Sequence, residues 1–222
     1  MTRVHEGAGR GPRSALESPA ASARLQAALT AGMQPNSSQV EALVERCAVE
    51  PDFFVRDMLT WALTRHDTSV TVERLLSELG SDVPQGRSQA LHTLSKIGDA
   101  RTWPAITPEL LTDEDDEVAR TAWRTAAGLV PPGRETELAE TLATQFARGD
   151  REVQRSLSRA FVALGAGVLP VVERAATARD PRVRAHAIAT KRLVQRPEED
   201  FDAAIAEARR IVALRGAPLV EG

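Results

Sequence analysis

At 222 residues the chain has the length of one or two globular domains, and its net charge of −3, from 31 acidic and 28 basic side chains, is far from the strongly basic chemistry of a dedicated nucleic-acid binder. A single cysteine, Cys47, excludes an intrachain disulfide and points to a reducing compartment. No run of about 18 apolar residues and no apolar signal core at the amino terminus are present, so the expectation is a soluble, cytoplasmic protein with no membrane contact.

Residues 1–17 are rich in Gly, Arg, Ser and Pro without periodicity and are expected to be disordered. The run Gly7-Ala-Gly-Arg-Gly11 follows no strand and opens no helix, which argues against a phosphate loop. Residues 18–37 hold an amino-terminal capping helix, from about Ala20 to Thr30, with Leu25, Ala28 and Leu29 on its apolar side and Gly32 at its end.

From residue 38 to 196 one pattern recurs five times. Its anchors are Val55, Gly86, Val118, Val153 and Val183, in steps of 31, 32, 35 and 30 residues. Ahead of them stand Asp52, Asp82, Asp115, Asp150 and Asp180; four residues after them come Leu59, Ala90, Ala122, Leu157 and Ala187. An Asp followed by apolar residues at helical spacing describes a helix capped at its start and buried along one stripe. Each unit therefore reads as helix A, turn, helix B, over 38–67, 68–100, 101–132, 133–165 and 166–196. Pro108 should kink or shorten the third A helix, and Gly98, Pro131 with Pro132, and Gly165 end B helices. Residues 197–222 form a carboxy-terminal capping helix and tail, burying Phe201, Ile205, Ala208 and Val212.

The pattern resembles the HEAT repeat family, whose second helix opens with Asp and continues Val-Arg-x-x-Ala. Asp52 with Val55-Arg56 and Asp180 with Val183-Arg184 keep this signature; Gly86-Arg87 loses the Val, and Ala119 and Gln154 replace the Arg. The resemblance implies an all-α fold, a right-handed α-α superhelix (α-solenoid) of about five HEAT-like helical hairpins with capping helices. It also implies that the Asp and Arg positions knit neighbouring repeats, and that partners bind the concave face formed by the B helices.

Catalytic chemistry is scarce. The four histidines show no metal-ligand spacing, and nucleophile-elbow, Walker and His-Glu-x-x-His motifs are absent, so no catalytic residue, metal or cofactor is implied. The acidic run Asp113–Glu117 falls in a turn and helix start, where carboxylates favour the exposed amides. Cys47 shares an apolar face with Val40, Leu43 and Val44 and reads as a small core residue. Helix positions opposite the buried stripe are more informative. Those at +2, +6 and +9 from the anchors place Trp61, His92, Arg120, Arg124, Arg155 and Arg159 on the expected binding face, the arginines in two i, i+4 pairs. The expected function is a non-catalytic scaffold that holds an acidic segment of another protein or another anionic ligand. The alternative is a DNA-binding protein related in architecture to the alkylpurine DNA glycosylases, with Asp57 as the acid one turn before Trp61; nucleic acid is the lesser expectation because the chain is net acidic.

Overall fold

The computed structural model describes residues 12–215, and among these the protein is all-helical, with no strand. Residues 1–11, with most of the segment expected to be disordered and its glycine run, and residues 216–222 lie outside the described residues. The chain divides into two compact units, Met1–Ile97 and Gly98–Gly222, the division falling between the second and third hairpins of the sequence pattern.

In the first unit, α1 (Pro12–Leu16) and α2 (Ala21–Met33) precede two hairpins, α3 (Val40–Val49) with α4 (Phe53–Arg65) and α5 (Thr68–Glu78) with α6 (Pro84–Ile97). Residues 12–16 depart from the disorder expected over 1–17: Leu16 is buried and α1 packs on α2. α3 lies beside α5, α4 beside α6, and α2 packs along α4. In the second unit a 3-10 segment, Ala100–Ala105, leads into α7 (Pro108–Leu111), α8 (Asp116–Leu129), α9 (Glu135–Ala143), α10 (Arg151–Leu164), α11 (Leu169–Ala175), α12 (Pro181–Gln195) and α13 (Phe201–Arg215). α8, α10 and α12 lie in one row; α9 adjoins both α7 and α11 in another. Pro108 sits at the start of α7 and leaves the third A helix a single short turn, with Pro104 in the 3-10 segment before it.

The B helices start where their aspartates cap them. Asp52 accepts from the amides of Phe54 and Val55, Asp115 from Glu117 and Val118, Asp150 from Val153, and Asp180 from Arg182. α6 is the exception: Ser81 Oγ accepts from Val83 at 3.2 Å, and Pro84 opens the helix without an N–H to satisfy. Removing one cap is a test of modest size. Asp115→Ala should cost about 1 kcal/mol in urea unfolding, because two amides lose their acceptor but remain near solvent. A neutral result would show that water replaces the carboxylate.

Along the core stripe Leu59, Ala90, Ala122, Leu157 and Ala187 are all at most 1% exposed. Gly86 stands where the pattern has Val because its space is taken: a Cβ there would overlap the buried Glu78 carboxylate and press on Ala48 at 3.3 Å. Glu78 is held by Arg74 at 2.9 Å, which also binds Glu41 at 2.7 Å.

The turn between helices A and B exposes carbonyls that need donors. Where the residue after the anchor is Arg, it folds back onto its own turn: Arg56 donates to Glu50 and Pro51 carbonyls at 2.8 Å, Arg87 to Ser81 at 2.8 Å, and Arg184 to Ala178 and Arg179 at 2.9 and 2.7 Å. Where it is Gln154, the amide donates to Gly149 O at 3.2 Å. Where it is Ala119, the following hairpin supplies the donor, Arg148, which reaches the Asp113 and Glu114 carbonyls and the Asp116 carboxylate. Gln85 and Arg182 likewise donate to carbonyls of the preceding turn, Gln85 to Cys47 and Glu50, Arg182 to Ala147. Where no Arg follows the anchor the turn still has a donor, in one case Gln154 at the position itself and in the other Arg148 of the next hairpin.

Candidate functional site

The six residues singled out from sequence fall into two groups. Trp61 and His92 lie on α4 and α6 of the first unit; Arg120 and Arg124 lie on α8, and Arg155 and Arg159 on α10, of the second. α8 and α10 are neighbours, so the arginine pairs do stand in adjacent rows.

The face carrying them is less open than expected. Ser88, Ala127, Ala185 and Ala189, assigned to it by helical spacing, are buried. For Ala185 and Ala189 the cause is α13, whose Phe201, Ala204, Ile205, Ala208 and Val212 pack on Ala185, Ala189 and Leu193 of α12, with Val162 of α10 at the margin. The capping helix therefore covers part of the surface it was expected only to terminate. In the first unit Trp61 rests against α2. A Cβ at Gly32 would strike its six-membered ring, and 38% of the residue is exposed, so the indole is a half-docked packing residue more than a free platform. His92 is half-buried.

Three of the arginines are engaged. Arg120 donates to Ser156 Oγ at 3.0 Å and approaches Glu117 at 3.4 Å. Arg155 binds Glu152 at 2.6 Å and Asp202 of α13 at 2.7 Å, and its guanidinium lies 5.7 Å from the centroid of the Phe201 ring. Arg124 is exposed and also interacts within the protein. Arg159 is exposed and has no hydrogen bond or ion pair among the described residues. It lines a cleft of about 480 Å3 with Arg155, over an apolar floor of Val162, Leu193 and Phe201. The opposite wall is the α12–α13 connection, where Glu199 is bound by Arg192 at 2.6 Å and Asp200 caps α13 through the Ala203 amide at 3.0 Å. Arg159 and Glu198 are left as the cleft's uncommitted charges among the described residues.

Two buried polar centres escaped the sequence reading. Glu50, fully buried, receives Arg24 through two bonds of 2.7 Å, Arg46 at 2.8 Å and the Asp52 amide at 2.9 Å. Burial alone would raise its pKa, but the bonds from Arg24, the Asp52 amide and Arg46 outweigh it and bring the group down to about 2. Arg24 lies in α2 and Glu50 at the α3–α4 corner, so the cluster fixes the first capping helix. The second centre is His186, on α12, edge-on to Phe146 and Phe201, with Phe161 stacked on Phe146. Its Nδ1 accepts from the Ala147 amide at 3.0 Å, which places the proton on Nε2, near the Gln154 carbonyl at 3.0 Å and Ser158 Oγ at 3.1 Å. A serine hydroxyl beside a histidine suggests a nucleophile and its base. Here Nε2 carries the proton, Ser158 is fully buried, and its hydroxyl is shared with Thr190 at 2.7 Å, so the pair is a packing device. Burial pushes His186 down to about 4, with the charge of Arg209 adding to the shift.

Cys47 is buried on α3, and burial pushes its thiol up to about 12, the state of an inert core residue. Phe53 and Phe54, at the start of α4, are 65% and 72% exposed and meet edge to face at 5.6 Å. Two adjacent phenylalanines on one helix cannot both face one core, a signal readable before the structure. Among the described residues no group of three or more His, Cys, Asp and Glu is placed to hold a metal, and no single helix is long and apolar enough to cross a membrane.

The geometry defines an all-helical protein of paired helices with a small charged cleft. No family model and no curated protein matches the chain. Among solved structures it is similar to the crystal structure of an engineered protein, with a TM-score of 0.46 and 21% identity over 83% of this chain and 95% of that one.

Proposed function

We propose that the protein is a non-catalytic binding module of HEAT-like hairpins, a right-handed α-solenoid acting in the cytoplasm, and that its cleft between α10 and the α12–α13 connection holds a segment of another protein. The observation that carries this reading is Arg159, a guanidinium without a partner among the described residues beside an apolar floor. An acidic side chain of the segment would complete it, and apolar neighbours in the segment would cover Val162 and Leu193. Affinity is expected to fall with salt, since the pairing is exposed.

The test uses Arg159 alone. Arg155 ties α10 to α13 through Asp202, so reversing its charge would disturb the fold as well as the cleft. Arg159→Glu should abolish co-purification of the partner from the native cell while the melting temperature moves by no more than a few degrees, because an unpaired exposed charge contributes little to stability. Undiminished capture by Arg159→Glu would place the binding surface elsewhere.

A further inference from the structure

A second cavity in the same unit has a different character. The first turns of α12 and the last turns of α13 enclose about 420 Å3, within the range of small-molecule sites, roughly 300–1,000 Å3. Its wall is chiefly apolar, with Ala185, Ile205, Val212 and Ala213 drawn from the two facing helices. Two guanidiniums, Arg182 and Arg209, stand at it, and no carboxylate lines it. Arg182 spends one nitrogen on the Ala147 carbonyl at 3.0 Å. Arg209 is exposed and makes no hydrogen bond or ion pair among the described residues. The α10 cleft has an acidic wall opposite its arginines, whereas this pocket presents cationic charge with no anion in its lining.

An apolar chamber open to water gains by receiving apolar surface, and unpaired guanidiniums at its edge gain by receiving a planar anion. An amphipathic anion satisfies both demands. We propose that this pocket binds a medium-chain monocarboxylate, with its alkyl body against Ala185, Ile205 and Val212 and its carboxylate at Arg209 and the free donors of Arg182. The site does not depend on the α10 cleft.

The probe is decanoate, titrated calorimetrically into the full chain beside decanol and decyltrimethylammonium. Decanoate should bind saturably at one site, more tightly than either the neutral or the cationic analogue. Arg209→Gln should weaken decanoate by about tenfold or more and leave decanol unchanged, the loss of one charge-assisted contact. Ala213→Trp, at an exposed lining position, should fill the chamber and abolish binding, while Arg159→Glu should leave it intact. The proposal is overturned by an absence of saturable binding, by equal affinity for decanol and decanoate, or by binding that survives Ala213→Trp. It is equally overturned if decanoate binds only once residues 216–222 are removed, since the pocket would then belong to the chain's own last residues.

Discussion

Glu50→Gln is expected to cost about 3–5 kcal/mol of stability, read as a fall in the urea midpoint at constant slope. Glu50 is fully buried, and the neutral amide would leave Arg24, itself nearly buried, without the anion that balances it. One amide oxygen cannot accept from Arg24, Arg46 and the Asp52 amide together, and its NH2 group would face donors. The loss measures an orphaned charge and not the net worth of the pairing. Accordingly the triple replacement Glu50→Leu, Arg24→Met, Arg46→Met should recover most of it, because apolar side chains of similar volume carry no desolvation cost. A loss below about 1 kcal/mol for Glu50→Gln would mean that water reaches the carboxylate.

Acidification should destabilise the second unit through His186 before the carboxylates titrate. The folded-state pKa is about 4, below the ordinary value of 6.5 expected of the unfolded chain. Above pH 6.5 neither state takes up a proton at this site; between 6.5 and 4 only the unfolded state does, so stability is lost as pH falls through that window and no further below it. The gap between those values corresponds to about 3 kcal/mol, with a slope of up to about 1.4 kcal/mol per pH unit. The check is urea unfolding from pH 7.5 to 5 for the natural chain and for His186→Gln, which should be less stable throughout but flatter with pH. Direct titration of the His186 ring by NMR should show it neutral at pH 5.5. A ring titrating near 6.5 would remove the effect.

The fold's plan was legible because its signals are local. The Asp caps of α4, α8, α10 and α12 act on amides two or three residues away, and the +4 positions lie on the same helix as their anchors. What stayed hidden depends on residues far apart in the chain. Gly86 is explained by Glu78 on another helix, and the turn before α8, where Ala119 follows the anchor, by Arg148 some 35 positions on. Arg159 is exposed, as its helical position implied, but the covering by α13 was missed. Ala185 and Ala189, two small apolar residues one turn apart at positions taken as exposed, were the available sign that another helix closes on α12. Trp61 is exposed, as its position implied, but its partial docking was hidden too, since Gly32 makes room for its ring only once α2 is folded back along α4.

The donors that cross from one hairpin to the turn of the one before it make the array directional. Arg148 serves the Asp113–Asp116 turn, Arg182 serves Ala147, and Gln85 serves Cys47 and Glu50, in each case from the later hairpin to the earlier. Excising a hairpin would therefore harm its predecessor more than its successor, because the predecessor loses a donor to its buried or half-buried carbonyls while the successor keeps its own capping Asp. Shortening the chain from its carboxy-terminal side should loosen the newly exposed turn, and inserting an extra hairpin between α8 and α9 would require it to bring an arginine in the place of Arg148. The units are alike in sequence, but they are not interchangeable cassettes.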